Sequence, residues 1–491
     1  MTRRSVFLQW NTSLFFYYIL KVFMLLENEN NKVLKAILVG ISLPGTSDLE
    51  NKESLKELER LVQTLGFQVI GSTQQKRRNL SGAIPLGEGK LKEIAKITGG
   101  TGVVKSAVPL RKNKAKLKLE EEHEAEEEEE EIFEESTSEY EEDHEKIVGK
   151  AEAVVFDCEL TPSQITHLQS AFGVEVLDRT GVIVEIFSRH AKTREARLQV
   201  EIAKLKYLAP RIREAGQSER QGSGAGARGA GETAVELDKR RIRDRIAELR
   251  REIASIQKEQ GNRRTKRSDQ PCVALVGYTN AGKSSLMRKL TGSEVLVADK
   301  LFATLDTTVR SLYPETHPRI LISDTVGFIK KLPHDLVASF RSTLDEALNS
   351  SLLLFVVDSS DISWKSQLEV TKAVLSEIGV TDETPARLVL NKIDNLTKEE
   401  LAHLKSEFPD ALFISTKSEK DIEFMHHFIR DFFEQDMLEV DLFVSYNIKG
   451  VIGEIRSLFR VLNEKHEDEG IIYKIRGKKE TIEKIKKIHN L

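Results

Sequence analysis

At 491 residues the chain exceeds what a single hydrophobic core holds, about 250–300 residues, so several domains are expected. Its two cysteines, Cys158 and Cys272, lie far apart, which argues against a disulfide framework or a zinc site and fits a reducing setting. The net charge of −4 hides a division: Glu120–Glu145 holds 17 acidic residues and no Lys or Arg, which leaves −4 + 17 = +13 elsewhere. That basic remainder favours an anionic partner such as nucleic acid.

Residues 1–31 include an apolar run, Leu14–Leu26, behind Arg3 and Arg4. Lys21 interrupts it and it is short for a span, so it reads as an extension rather than an anchor. A first α/β domain is expected over 32–189. Lys35–Ile41 has a buried-strand pattern, Leu55, Leu58, Leu61, Val62 and Leu65 share one helix face, and Phe67–Gly71 is a second strand. Gly87–Lys90 opens another helix. Residues 111–148 form a basic-then-acidic insert, a composition that resists folding because like charges repel. The domain resumes at the strand Ala151–Phe156, a helix starting at Thr161-Pro162, then Val174–Val176 and Val182–Val184.

Residues 190–262 read as a helical hairpin. Leu198, Ile202, Leu205 and Leu208 mark one seam; Ile242, Ile246, Leu249, Ile253 and Ile256 mark the other. Its tip, 221–231, is glycine-rich. Gly224, Gly226 and Gly229 match G-x-G-x-x-G, but a polar helix rather than a strand precedes them, which speaks against a dinucleotide site. A nucleotide domain follows at 270–434. A small α+β piece closes the chain at 435–491, with strands Leu442–Tyr446 and Gly470–Ile475 around a helix Ile452–Glu464.

The chemistry concentrates in the nucleotide domain. Gly277, Tyr278, Thr279, Asn280, Ala281, Gly282, Lys283 and Ser284 form G-x-x-x-x-G-K-[ST] between the strand Cys272–Val276 and a helix pattern. In that context backbone N–H groups surround phosphates, Lys283 reaches them and Ser284 can ligate Mg²⁺. Asp324, Thr325, Val326 and Gly327 follow a strand; Asp324 suits the outer Mg²⁺ carboxylate, and the Gly327 N–H suits a γ-phosphate. Asn391, Lys392, Ile393 and Asp394 follow another strand, and Asp394 can accept from guanine N1–H and N2–H₂, donors that adenine lacks. Ser415, Thr416 and Lys417 can close over the base. Between these lie Phe302, Ala303, Thr304, Leu305 and Asp306, with Thr304, Thr307 and Thr308 all competent on chemistry to complete the metal shell. His426 and His427 are adjacent on a helix and do not share a face, so no metal site is expected there.

These motifs, with Arg228-Gly-x-Gly-Glu232, Gln75-Lys76-Arg77, Asp178-Arg-Thr180 and Ile186-Phe187, resemble the HflX family within the Obg-HflX group of translation GTPases. The resemblance covers about residues 35–434 outside the insert. It implies an α/β multi-domain fold: an N-terminal α/β domain with a helical hairpin, a Ras-like P-loop GTPase domain on a mostly parallel sheet, and a small α+β C-terminal domain. It also implies a monomer, cytoplasmic or in part membrane-associated, that hydrolyses GTP to GDP with Mg²⁺. Its partners would be the large ribosomal subunit and its rRNA, in ribosome splitting or rescue, with no stable membrane insertion. It selects Thr304 as the metal-binding threonine. Asn280 resembles an asparagine that binds K⁺ in related GTPases. Ala230 stands where the family carries proline. The rival readings are a GTPase of tRNA modification or signalling, and an RNA-binding helicase-like NTPase. Phe328 follows Gly327 where many GTPases place a water-orienting glutamine, which predicts slow intrinsic hydrolysis and a stimulating partner.

Overall fold

The computed structural model describes residues 33–104, 149–220, 228–265, 270–292, 301–302, 308–333, 347–381, 383–435, 437–448 and 450–489. The apolar run at 14–26, the insert at 111–148, tip residues 221–227 and the Ala303–Asp306 segment with Thr304 and Thr307 lie outside the described residues. The chain divides into two units, one running to Arg189 and including Ile202–Ala247, the other comprising His190–Glu201 and Glu248 onward.

In the first unit β1 (Lys35–Ser42), α1 (Asp48–Thr64), β2 (Gln68–Lys76), α2 (Glu88–Thr98), β3 (Ala153–Phe156), α3 (Pro162–Phe172), β4 (Glu175–Asp178) and α4 (Arg179–His190) alternate. The sheet runs β2-β1-β3-β4, with every pairing parallel. Local chemistry sets the helix starts. Ser47 and Glu50 form a reciprocal capping box on α1, and Thr161 and Gln164 form one on α3 with Pro162 in the first turn. The apolar face of α1 is buried through Leu55, Leu58, Leu61 and Val62. Burial of one such leucine contributes about 1.5–3 kcal/mol. Val182–Val184 lies in α4, a helix despite its β-branched run, and Val182, Ile183, Val184, Ile186 and Phe187 are all buried. Packing overrides intrinsic preference there.

The long helices α5 (Arg194–Arg220) and α6 (Arg228–Thr265) follow. Along the expected seams Leu198, Ile202, Ile242, Leu249 and Ile253 are buried, while Leu205, Leu208, Ile246 and Ile256 are half-buried. Within the second unit Arg194 Nη2 bonds Glu252 Oε2 at 2.9 Å, tying the base of α5 to α6.

The second unit holds β5 (Cys272–Val276), α7 (Lys283–Thr291), β6 (Thr308–Ser311), β7 (Leu321–Asp324), β8 (Leu352–Asp358), α8 (Trp364–Ile378), β9 (Ala386–Asn391), α9 (Lys398–Glu407), β10 (Leu412–Phe413) and α10 (Glu419–Glu434). Its sheet runs β10-β9-β8-β5-β7-β6, parallel except for β6 against β7. The core gathers Val273, Leu275, Leu286, Ile322, Leu354, Val356, Val389 and Met425. Strands this apolar need cover on both faces, and the α/β alternation provides it.

The chain closes with β11 (Leu438–Ser445), α11 (Val451–Leu458), β12 (Arg460–Glu467), β13 (Gly470–Gly477) and α12 (Lys479–His489), an antiparallel sheet ordered β11-β13-β12. The helix expected over Ile452–Glu464 ends at Leu458, and Arg460–Glu467 is an edge strand instead. Its charged, largely exposed residues carry no alternation, so the backbone pairing with β13 decides its state. Glu434 at the end of α10 accepts from Arg460 Nη1 at 2.7 Å and Arg476 Nη1 at 2.9 Å, fastening this sheet to the nucleotide domain.

Candidate nucleotide site

The C-terminal ends of β5, β7, β8 and β9 converge on one edge of the second sheet, where ligands of open parallel sheets bind. β5 runs into the loop Gly277–Gly282, and α7 begins at Lys283. The glycines are sterically required. A Cβ on Gly277 would strike the Val356 carbonyl, and one on Gly282, whose φ is +94°, would strike the Asn391 amide. Asn280 is also left-handed, at φ 60°. Tyr278, Thr279 and Ala281 are buried.

Lys283 is 6% exposed and folds back on the loop. Its Nζ donates to Gly277 O at 2.9 Å and to Tyr278 O at 2.7 Å. Burial pushes its pKa down from 10.5 to about 8, opposed by the nearby Asp324 carboxylate. Ser284 Oγ donates to Asp324 Oδ2 at 2.7 Å, and Asp324 is fully buried at the end of β7. Thr325 Oγ1 donates to Leu275 O at 2.8 Å, locking the turn after Asp324 to β5.

Gly327 lies directly against the loop. A Cβ there would sit 2.8 Å from Thr279 Cγ2, 2.9 Å from Thr279 Cα and 3.1 Å from Lys283 Nζ. Two backbone bonds clip the segments together, Thr279 N to Phe328 O at 2.8 Å and Phe328 N to Gly277 O at 3.2 Å. Phe328 is 2% exposed, and Val326 and Phe302 are also buried.

The motifs expected to read the base meet next door. Asn391 is fully buried; its Nδ2 donates to Ala281 O at 2.8 Å and its Oδ1 accepts from Thr416 N at 3.3 Å. One side chain thus braces the phosphate loop against the Ser415–Lys417 loop. Lys392 is left-handed at φ 63° and pairs with Asp358 at 2.6 Å. Ile393 N donates to Ile414 O at 3.4 Å. Asp394 accepts from Lys417 Nζ at 2.6 Å and Ser415 Oγ at 2.7 Å, which hold its carboxyl below the usual carboxylate range. Gly277–Ser284, Asp324–Gly327, Asn391–Asp394 and Ser415–Lys417 therefore gather at the C-terminal edge of one sheet.

Three contributors went unread in the sequence. Asp358 ends β8 and pairs with Lys392; Ser359 bonds Asn391 O through both N–H and Oγ; Asp421 accepts from Ser415 N at 2.8 Å. A strand-terminal aspartate after Leu352–Val357 was the available signal for Asp358.

Three family models match the chain: GTP-binding GTPase N-terminal at residues 52–108 and 133–188, GTP-binding GTPase Middle Region at 190–267, and 50S ribosome-binding GTPase at 272–392. The GTPase HflX of Gluconacetobacter diazotrophicus is 53% identical over 456 residues, covering 92% of this chain and 97% of that one. The GTPase HflX of Escherichia coli K12 is 37% identical over 365 residues, 74% of each chain. A solved GTP-binding protein of Sulfolobus solfataricus in complex with GDP aligns over 81% of this chain and 98% of its own at 23% identity, with a TM-score of 0.40, a likeness too loose to add to the argument. Among the described residues no helix is long and apolar enough to cross a membrane. The sequence similarity reaches well beyond the nucleotide domain, and the chain belongs to the HflX family of GTPases, enzymes that bind and hydrolyse GTP.

Proposed function

We propose that this GTPase works on the large ribosomal subunit, and that contact with the subunit and its rRNA triggers hydrolysis during ribosome splitting or rescue. The observation that carries the need for a partner is Phe328. It occupies the position after Gly327, is buried, and is pinned by its backbone to the phosphate loop. A phenyl ring cannot orient water, so this position leaves basal hydrolysis slow and open to stimulation by a partner. The description of the family matching 272–392 supports the ribosome as the source. So does α6, which carries 11 Lys or Arg against 7 Asp or Glu, with Arg240, Arg243, Arg250 and Arg251 exposed.

Within the site, Lys283 exchanges its two backbone carbonyls for the β- and γ-phosphates, and the Gly327 N–H meets the γ-phosphate. Asp394 takes guanine N1–H and N2–H₂. Asn391, Lys392 and Ser415–Lys417 shape the base pocket. Ser284 and Thr304 offer Mg²⁺ the hard oxygen donors it prefers, and Asp324, bonded to the Ser284 hydroxyl, supplies the outer carboxylate. Mg²⁺ bound there would neutralise charge on the phosphates. Asn280 is the proposed K⁺ ligand, which equal hydrolysis rates in Na⁺ and K⁺ would rule out. The five domain boundaries, 1–31, 32–189, 190–262, 270–434 and 435–491, are proposed on the same footing, as is a cytoplasmic monomer.

The test is GTP hydrolysis with and without purified large subunits, for the intact chain and for one with residues 221–231 shortened. Stimulation that the shortened tip alters is the expected result. No stimulation alongside normal nucleotide binding would remove the ribosomal role and leave the GTPase.

A further inference from the structure

Within the site one polar group has no task in the account above. Thr279 is 7% exposed, and its Oγ1 is buried with no hydrogen-bond partner among the described residues. A buried hydroxyl in that condition carries a desolvation cost that folding alone does not return. Its position is informative. Thr279 packs on Gly327 through Cγ2 and Cα, and the Lys283 ammonium lies beside the same glycine. Its own N–H holds the Phe328 carbonyl at 2.8 Å. The backbone of Thr279 thus joins the phosphate loop to Phe328, and its side chain, which lies against Gly327, carries a hydroxyl that can both donate and accept.

We propose that Thr279 is a catalytic residue of GTP hydrolysis, whose hydroxyl orients the attacking water against the γ-phosphate, a task that Phe328 cannot perform. The hydroxyl accepts a hydrogen bond from the water and donates its own to a γ-phosphate oxygen. The water oxygen bonds to phosphorus while the bond from phosphorus to the β–γ bridging oxygen breaks. That electron pair leaves on GDP, and the water's proton leaves on inorganic phosphate. Lys283 releases Gly277 O and Tyr278 O as phosphate arrives, which opens the loop around Thr279.

The inference rests on the γ-phosphate lying at Gly327, as proposed above. The experiment compares Thr279→Val, which keeps the branched shape and removes the hydroxyl, with Thr279→Ser, which keeps the hydroxyl and removes the methyl. Lys283→Ala is the control for the phosphate site. The full-length chain is used, with single-turnover GTP hydrolysis and affinities for GDP and for GDP with aluminium fluoride as readouts. Thr279→Val is expected to hold GDP within about two-fold. It should lose roughly ten-fold or more in both hydrolysis and the preference for the fluoroaluminate complex, while Thr279→Ser keeps most of both. Wild-type hydrolysis by Thr279→Val would overturn the assignment. So would equal losses in Thr279→Val and Thr279→Ser together with lost GDP affinity, since those would report packing alone. Unimpaired nucleotide binding by Lys283→Ala would instead overturn the phosphate placement, so the two failures are distinguishable.

Discussion

Two of the cations that the chain buries near the C-terminal ends of parallel strands, Arg179 and Lys283, are held in opposite ways. Arg179 follows β4 in the first unit and is 2% exposed. It meets Asp157 Oδ1 at 2.6 Å and also pairs with Glu57. Lys283 follows the loop after β5 and among the described residues bonds only to neutral backbone carbonyls, with Asp324 acting at longer range. A buried ion is tolerable when matched by opposite charge and hydrogen bonds; Arg179 has both. Lys283 is held in a position costly enough to depress its pKa, which is the condition of a group kept for an anion that arrives later. Arginine suits the first role through its planar fork, lysine the second through its point charge.

The sharpest way to break the comparison is to remove each charge while keeping the length of the side chain. Arg179→Met removes the guanidinium that Asp157 and Glu57 both face, and should destabilise the first unit by about 3–5 kcal/mol in denaturant unfolding. Lys283→Met removes a disfavoured charge, so the nucleotide-free chain should unfold no more readily than wild type, while nucleotide affinity falls by roughly a hundred-fold or more. If Lys283→Met instead lost as much stability as Arg179→Met, the two cations would share a structural role. Next in size is Asp394→Asn. It replaces an acceptor for guanine N1–H with a side chain that presents a donor, so GTP affinity should fall by about a hundred-fold or more. Xanthine nucleotide, which offers a carbonyl at that edge, should be gained, as competition binding would show. Equal loss of both would mean that Asp394 acts only by holding Ser415 and Lys417.

The nucleotide site was legible because its groups are contiguous in sequence. Gly277–Ser284, Asp324–Gly327 and Asn391–Asp394 each sit on one strand end, so a short motif specifies a local geometry. The hairpin seams were legible because they repeat at helical spacing, as buried Leu198, Leu249 and Ile253 show. Interactions that span sequence were not. The buried carboxylate of Asp178 accepts from Gly181 N at 2.8 Å, but also from Tyr207 Oη at 2.6 Å and Arg211 Nη2 at 3.0 Å, partners 29 and 33 residues away. Nothing in the local pattern at Asp178 announces them. The failure at Arg460–Glu467 has a related cause: the charged segment became a strand because β13 offers it a backbone ladder. Local preference is a weak signal wherever tertiary partners set the state.

The smallest expected effect probes the same lysine by pH. With its folded pKa at about 8 against an ordinary 10.5, Lys283 binds fewer protons in the folded nucleotide-free chain than in the unfolded one between those values. Stability of the nucleotide-free chain should therefore rise with pH across that window. Nucleotide phosphates favour the charged ammonium and raise its pKa in the complex, so binding takes up a proton above about pH 8. GTP affinity should then be flat below that pH and fall by up to about ten-fold per unit above it. Titration calorimetry in buffers of different ionisation enthalpy reads the proton directly. Lys283→Arg, whose guanidinium stays charged throughout, should bind more weakly but lose the pH dependence. A wild-type affinity that stays flat from pH 7 to 10 would place the lysine's charge outside the binding equilibrium, and with it the distinction drawn between Lys283 and Arg179.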